Sequence, residues 1–241
     1  SEAVTGFTLA DISVANGTLS ALKSSDGGLT WTATFTPTVG VTDATNQITL
    51  DNTGVADAAG NTGTGTTDSS NYTVATLRPA ASISVADSAL QAGETSTVTL
   101  TFSEAVSSFS NADLAVGNGS LSGVSSIDGG VTWTATFTPT AGLTQAINII
   151  TLDNTGIVNA SGNTGTGTTD SNVFAIDTAR PTATVLVADA ALAVGETSAV
   201  TITFSEVPRG FDSFDVGATG GTISNLAVTS NPKVYTATFT P

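Results

Sequence analysis

The sequence predicts an all-β chain, an elongated array of small sandwich domains in tandem, and three observations predict it. The first is a period of 102 residues: Phe102-Ser103-Glu104-Ala105-Val106 returns as Phe204-Ser205-Glu206-Val207, and the chain opens on the same motif at Ser1-Glu2-Ala3-Val4. WTATFTP from Trp31 to Pro37 is identical to Trp133 to Pro139, and Tyr235 to Pro241 matches it from the second residue onward. Gly60 to Asp68 is identical to Gly162 to Asp170. Such a period is too long for a solenoid turn and suits one small all-β domain per repeat. The second observation is period-two alternation rich in Thr, Val and aromatics, the mark of half-buried antiparallel strands. The third is the absence of sustained helical spacing with caps.

Element by element, the repeat between Arg78 and Arg180 reads as seven strands: Ala81–Val85, Thr95–Phe102, Asp113–Val116, Ser120–Ile127, Val131–Thr138, Asn148–Leu152 and Asn172–Ile176. Val98, Leu100 and Phe102 share one face of the second strand, and Trp133, Ala135 and Phe137 one face of the fifth. Asp128-Gly129-Gly130 signals the tight turn before that fifth strand. Seven short strands in about a hundred residues make a β-sandwich of immunoglobulin type, without the Cys pair of antibody domains. Arg78-Pro79 and Arg180-Pro181 follow strand-like runs, and proline there suits an inter-domain joint. The expected domains are 1–77, lacking its first two strands, a complete 78–179, and 180–241, lacking its last two. With no initiator Met, signal peptide or membrane-length apolar run, the chain is expected to be an excerpt from a longer protein.

The ordered motifs FSEAV, A-D-L, DGGxTWTATFTP, LDNTG…GNTG and F-A-I-D-T-x-R-P together resemble the bacterial immunoglobulin-like repeats of large surface adhesins and biofilm-associated proteins. The resemblance covers the whole chain. It implies an extracellular protein of the bacterial cell surface or matrix, many such domains between an anchor and an adhesive tip, and, in several such families, calcium bound where consecutive domains meet.

Composition narrows the chemistry. There is no Cys and no His, which removes disulfides, Cys/His zinc sites and histidine acid–base work. The net charge is −15 and the five basic residues are scattered, so nucleic acid is not an expected partner. Eight acids stand between Arg78 and Arg180 without one Lys or Arg among them: Asp87, Glu94, Glu104, Asp113, Asp128, Asp153, Asp170 and Asp177. They read either as a solvated acidic surface or in part as ligands for Ca²⁺, which takes six to eight oxygens.

Strand order places Glu104, Asp113, Asp128, Asp153, Asn159, Asn163 and Asp170 at the N-terminal pole of the complete repeat and Asp177 in the linker beyond the other pole. The candidate metal ligands are Glu2, Asp11, Asp57, Asn61, Glu104, Asp113, Asp177, Glu206 and Asp215. The repeats differ here. Asp177 has Ala75 as its counterpart one period earlier, and Asp57 becomes Asn159. Both losses fall on the joint between the first and second repeats, where a weak calcium site or none is expected.

Other features have plainer readings. Trp31, Trp133 and Tyr235 share a strand face with Ala and Phe, as core aromatics do, rather than forming a sugar platform. GNTGTGTTD has the glycines of a phosphate cradle but neither its Lys nor a following helix. Nothing suggests a single deep catalytic pocket, and no enzymatic role is expected. The expected function is a structural spacer, a stalk projecting a distal binding region, with Ca²⁺-rigidified junctions and neighbouring repeats of the same chain as partners. The alternative is a self-assembling filament, sheath or biofilm matrix, in which residues 180–204 of another copy complement the first repeat. No membrane insertion is expected of this segment.

Overall fold

The computed structural model describes residues 2–241. It divides into two compact units, one of residues 1–90, 94–139 and 146–175, the other of residues 91–93, 140–145 and 176–241. Nearly every regular element is a β-strand; short 3₁₀ turns link some of them.

The complete repeat carries the predicted sandwich. One sheet runs in the order Ala81–Val85, Ser96–Phe102, Thr132–Pro139, Gly119–Leu121, with the short Ser125–Ser126 also paired to Thr132–Pro139. All its pairs are antiparallel, in a register that sets Val98 opposite Ala135 and Leu100 opposite Trp133. The register follows from the alternation, since a one-residue slip would turn every apolar side chain to solvent. A second sheet runs Leu114–Val116, Ile150–Asp153, Thr168–Asp170, and a third Ala89–Gln91, Phe174–Asp177, Thr144–Asn148.

Val98, Leu100, Phe102, Phe137, Ile150, Leu152 and Phe174 are all buried. Phe137 and Phe174 meet edge to face with ring centroids 5.2 Å apart. Trp133 lies at the margin of this core, edge to face with Phe109 at 5.3 Å, and its Nε1 donates to Gly130 O at 3.1 Å. The tryptophan is thus a packed aromatic with its one polar atom satisfied. Trp31 repeats the arrangement with Phe7 and Gly28 O. In the third repeat Tyr235 packs against Phe204 and Phe211.

Two predicted strands are split. Ser120–Ile127 breaks at 122–124, where Asn111 takes over the backbone: its Nδ2 donates to Ser122 O, and its Oδ1 accepts from Val124 N. The run around Asn148 divides into Thr144–Asn148 and Ile150–Asp153, which belong to different sheets. Asn148 is buried at the crossing, donating to Phe174 O and accepting from Asn118 Nδ2. Asn46 does the same work in the first repeat, donating to Tyr72 O and accepting from Asn16 Nδ2. Hydrophobic periodicity does not register such a crossing, because a polar side chain in place of the ladder causes it. Thr168–Asp170, read as loop, is a strand paired to Ile150–Asp153, with Thr151 Oγ1 donating to Asp170 Oδ1.

The Asp128 turn follows the sequence directly. Asp128 Oδ1 accepts from Thr132 N, then Ser126 Oγ and Val131 N, and these donors, Thr132 above all, hold the carboxyl well below its usual range, at about 2. Gly129 and Gly130 have positive φ, and a Cβ on Gly130 would stand 2.5 Å from Val106 O.

Two predictions follow from the core and this turn. Phe137 is fully buried, so Phe137→Ala should destabilise the second repeat by about 3–5 kcal/mol in chemical denaturation. Because the Asp128 carboxyl titrates lower when folded, its contribution is present above 3.8 and fades as pH falls toward about 2. Asp128→Asn should therefore melt below the parent at neutral pH, with the gap closing near pH 2. A gap that stays constant across that range would contradict the assignment.

Candidate functional site

The candidate site is the joint between the first and second repeats, which lies within one compact unit. The linker leaves the strand Tyr72–Ala75 and runs through Thr76, Leu77 and Arg78 to Pro79. Thr76 anchors its start, donating N–H to Val41 O at 2.7 Å and Oγ1–H to Thr38 O at 2.6 Å. Its far end is tied down by Ser103, whose N–H donates to Ala80 O and whose Oγ accepts from Ala80 N.

Between these anchors the pole of the second repeat grips the linker backbone. Asn163 Nδ2 donates to Ala75 O at 2.9 Å, and Asn159 Nδ2 donates to Leu77 O at 3.0 Å. Arg78 returns the contact, its Nη1 donating to Thr164 O. Asn159 is only 4 % exposed, so its amide bonds are formed away from water. Its Oδ1 accepts from Asn163 N and Ser161 N, which shapes the loop.

The first repeat has the same loop with Asp57 in place of Asn159. Asp57 N donates to Asn61 O just as Asn159 N donates to Asn163 O. Asp57 Oδ1 accepts from Asn61 N at 2.8 Å, and Oδ2 accepts from Asn61 Nδ2 at 2.7 Å. The Asn61 side chain, then its backbone N–H, hold the Asp57 carboxyl below its usual range. Here the asparagine amide turns inward to the carboxylate.

The other candidate metal ligands are dispersed. Asp11 and Asp113 close capping boxes on 3₁₀ turns, accepting from Thr8 N and Ser110 N at 2.8 and 2.9 Å, and Asp215 accepts from Asp212 N in the same way. A Ser/Thr/Asp-x-x-Asp spacing in the sequence carries that signal. Asp177 accepts from Thr144 Oγ1 at 2.8 Å. In the third repeat Lys233 Nζ donates to Ser205 O at 2.9 Å, which puts a fixed positive charge beside the Ser205-Glu206 turn. Glu104 Oε1 is buried without a hydrogen-bond partner, two residues before Val106, which bridges to Asn159. Glu2 has an exposed side chain.

Among the described residues, no three Asp, Glu, His or Cys side chains come together as a metal-binding group. At the first joint the linker carbonyls of Ala75 and Leu77 are already paired with amide donors. One orphan carboxylate oxygen falls far short of the six to eight that calcium takes, so the residues at this joint do not fit the ion. The roles missed by sequence reasoning are those of Asn159, Asn163 and Arg78 as donors. The loss of acids at this joint was visible in the sequence; what replaced them was not.

No helix among the described residues is long and apolar enough to cross a membrane. A search of curated proteins found no match. Among solved structures, the chain is similar to the Escherichia coli adhesin FdeC, at 16% identity over 99% of this chain and 75% of that one, with a TM-score of 0.36. It is also similar to the Yersinia pseudotuberculosis adhesin InvE, at 19% identity and a TM-score of 0.32, over 66% of this chain and 51% of that one. At such TM-scores these likenesses carry no argument about arrangement or activity. The bacterial Ig-like domain family matches residues 1–74, 75–176 and 177–241, the whole chain in three consecutive copies, and the chain belongs to that family.

Proposed function

We propose that the chain is a spacer segment of a bacterial surface adhesin, a non-catalytic stalk that holds a distal binding region away from the cell. The observation that carries this reading is the joint: the linker between two repeats is fixed at both ends and gripped in its middle by hydrogen bonds. A stalk needs reach, and reach requires joints that resist bending. A chain of freely jointed domains collapses toward a coil, whereas docked joints add their lengths. The acidic surface, at net charge −15, suits an exported protein that must stay soluble and apart from its neighbours.

Calcium belongs to this proposal only for joints with a carboxylate both in the linker, as at Asp177, and in the receiving loop, as at Asp57. There a hard cation would bridge carboxylates and linker carbonyls that no amide donor holds.

The alternative is assembly, in which domains of separate copies pair with one another through strand addition.

Sedimentation velocity together with small-angle X-ray scattering of the chain separates the two readings. The spacer reading predicts the mass of one chain at every concentration and an extended scattering profile at neutral pH. Growth of mass with concentration would overturn it in favour of assembly.

A further inference from the structure

We infer that the residue at position 159, and at position 57 one repeat earlier, is a donor switch that decides how a repeat holds the linker entering it. Asparagine there clamps the linker backbone directly and without an ion; aspartate turns the loop's amides inward and lets the linker go. The inference goes beyond the spacer reading and rests on the joint's geometry, whatever the chain carries.

The two loops are the same turn. Each closes with residue 57 or 159 giving its N–H to the carbonyl four residues on, and with its side-chain Oδ1 accepting the N–H of that same residue. They differ in what the remaining side-chain atoms can do, and in that the given sequence includes the linker entering the second repeat but not one entering the first. An asparagine has Nδ2–H left over; an aspartate has a second acceptor. In the second repeat the leftover donor of Asn159 reaches Leu77 O, and the amide of Asn163, with an amide rather than a carboxylate at position 159, reaches Ala75 O. In the first repeat Asp57 Oδ2 captures the Asn61 amide at 2.7 Å. A carboxylate is the stronger acceptor, so it wins that amide over a neutral carbonyl.

One substitution therefore removes both grips on the linker. An aspartate at 159 loses its own bond to Leu77 O, sets negative charge against that carbonyl, and draws Asn163 away from Ala75 O. The loop keeps its fold, because every acceptor contact of Asn159 is one that Asp57 already makes in the first repeat. Among the described residues, the hydrogen bond from Arg78 to Thr164 O then remains between linker and loop.

The test uses the whole chain. It has no cysteine, so Thr34→Cys and Thr136→Cys, both on exposed strand positions of the first and second repeats, take spin labels cleanly. Pulsed electron spin resonance then reads the distance distribution between the two repeats in millimolar Ca²⁺ and in excess chelator. The parent should give one narrow distribution, identical in both. Asn159→Asp in chelator should broaden it, with the undocked fraction rising about tenfold, as follows from losing one or two net hydrogen bonds of about 1 kcal/mol each. Asn163→Ala, which leaves the Leu77 contact, should fall between the two. Circular dichroism melting of each variant checks that the repeats remain folded, so a broadened distribution reports the joint. A parent that broadens on chelation, or an Asn159→Asp chain as narrow as the parent in chelator, overturns the inference.

Discussion

Backbone groups at the ends of a β-sandwich have no ladder partner, and leaving them unpaired away from water is costly. This chain meets that constraint with neutral side chains, chiefly asparagine, serine and threonine. Asn148 and Asn46 take up the backbone where the chain crosses between sheets. Ser171 Oγ accepts from Ile150 N, and Asn172 both donates to Val85 O and accepts from Val85 N. Asn159 and Asn163 extend the same device from one repeat to the next. A joint made this way differs from the interior of a repeat only in that the carbonyls it satisfies belong to the preceding linker.

That choice bears on the acids. With 20 Asp and Glu against five Lys and Arg, charge pairing could not hold the fold together. Several acids instead accept from nearby N–H and O–H groups within a few residues: Asp128 in its hairpin, Asp153 from Thr155, Asp57 from Asn61. Their carboxyls are held below the usual range by those donors, and none needs a cation for it. Local turns thus absorb much of the negative charge that composition alone suggests as metal-binding capacity.

The elements that hydrophobic alternation governs were legible in the sequence. Ala81–Val85 matches its predicted bounds, and Val131–Thr138 is displaced by one residue. Trp133 was readable as a packed aromatic because Ala135 and Phe137 share its face. The breaks at 122–124 and at Asn148 were not readable, because one polar side chain replaces ladder bonds there and leaves the apolar pattern intact. At the joint, the change from Asp57 to Asn159 was visible as a lost carboxylate. Its meaning as a gained donor depends on linker carbonyls within 3 Å, which only the fold supplies. The capping boxes closed by Asp11, Asp113 and Asp215 are legible in their spacing to Thr8, Ser110 and Asp212.

The central claim is that the first two repeats form one docked body through side-chain hydrogen bonds at their linker. Residual dipolar couplings of the intact chain in a weakly aligning medium test it directly, since each folded repeat reports its own alignment. The account predicts that couplings from the first and second repeats fit a single alignment tensor, with chelator present and no divalent ion. Two tensors of different magnitude would mean that the repeats reorient independently, and the hydrogen-bonded joint would be wrong.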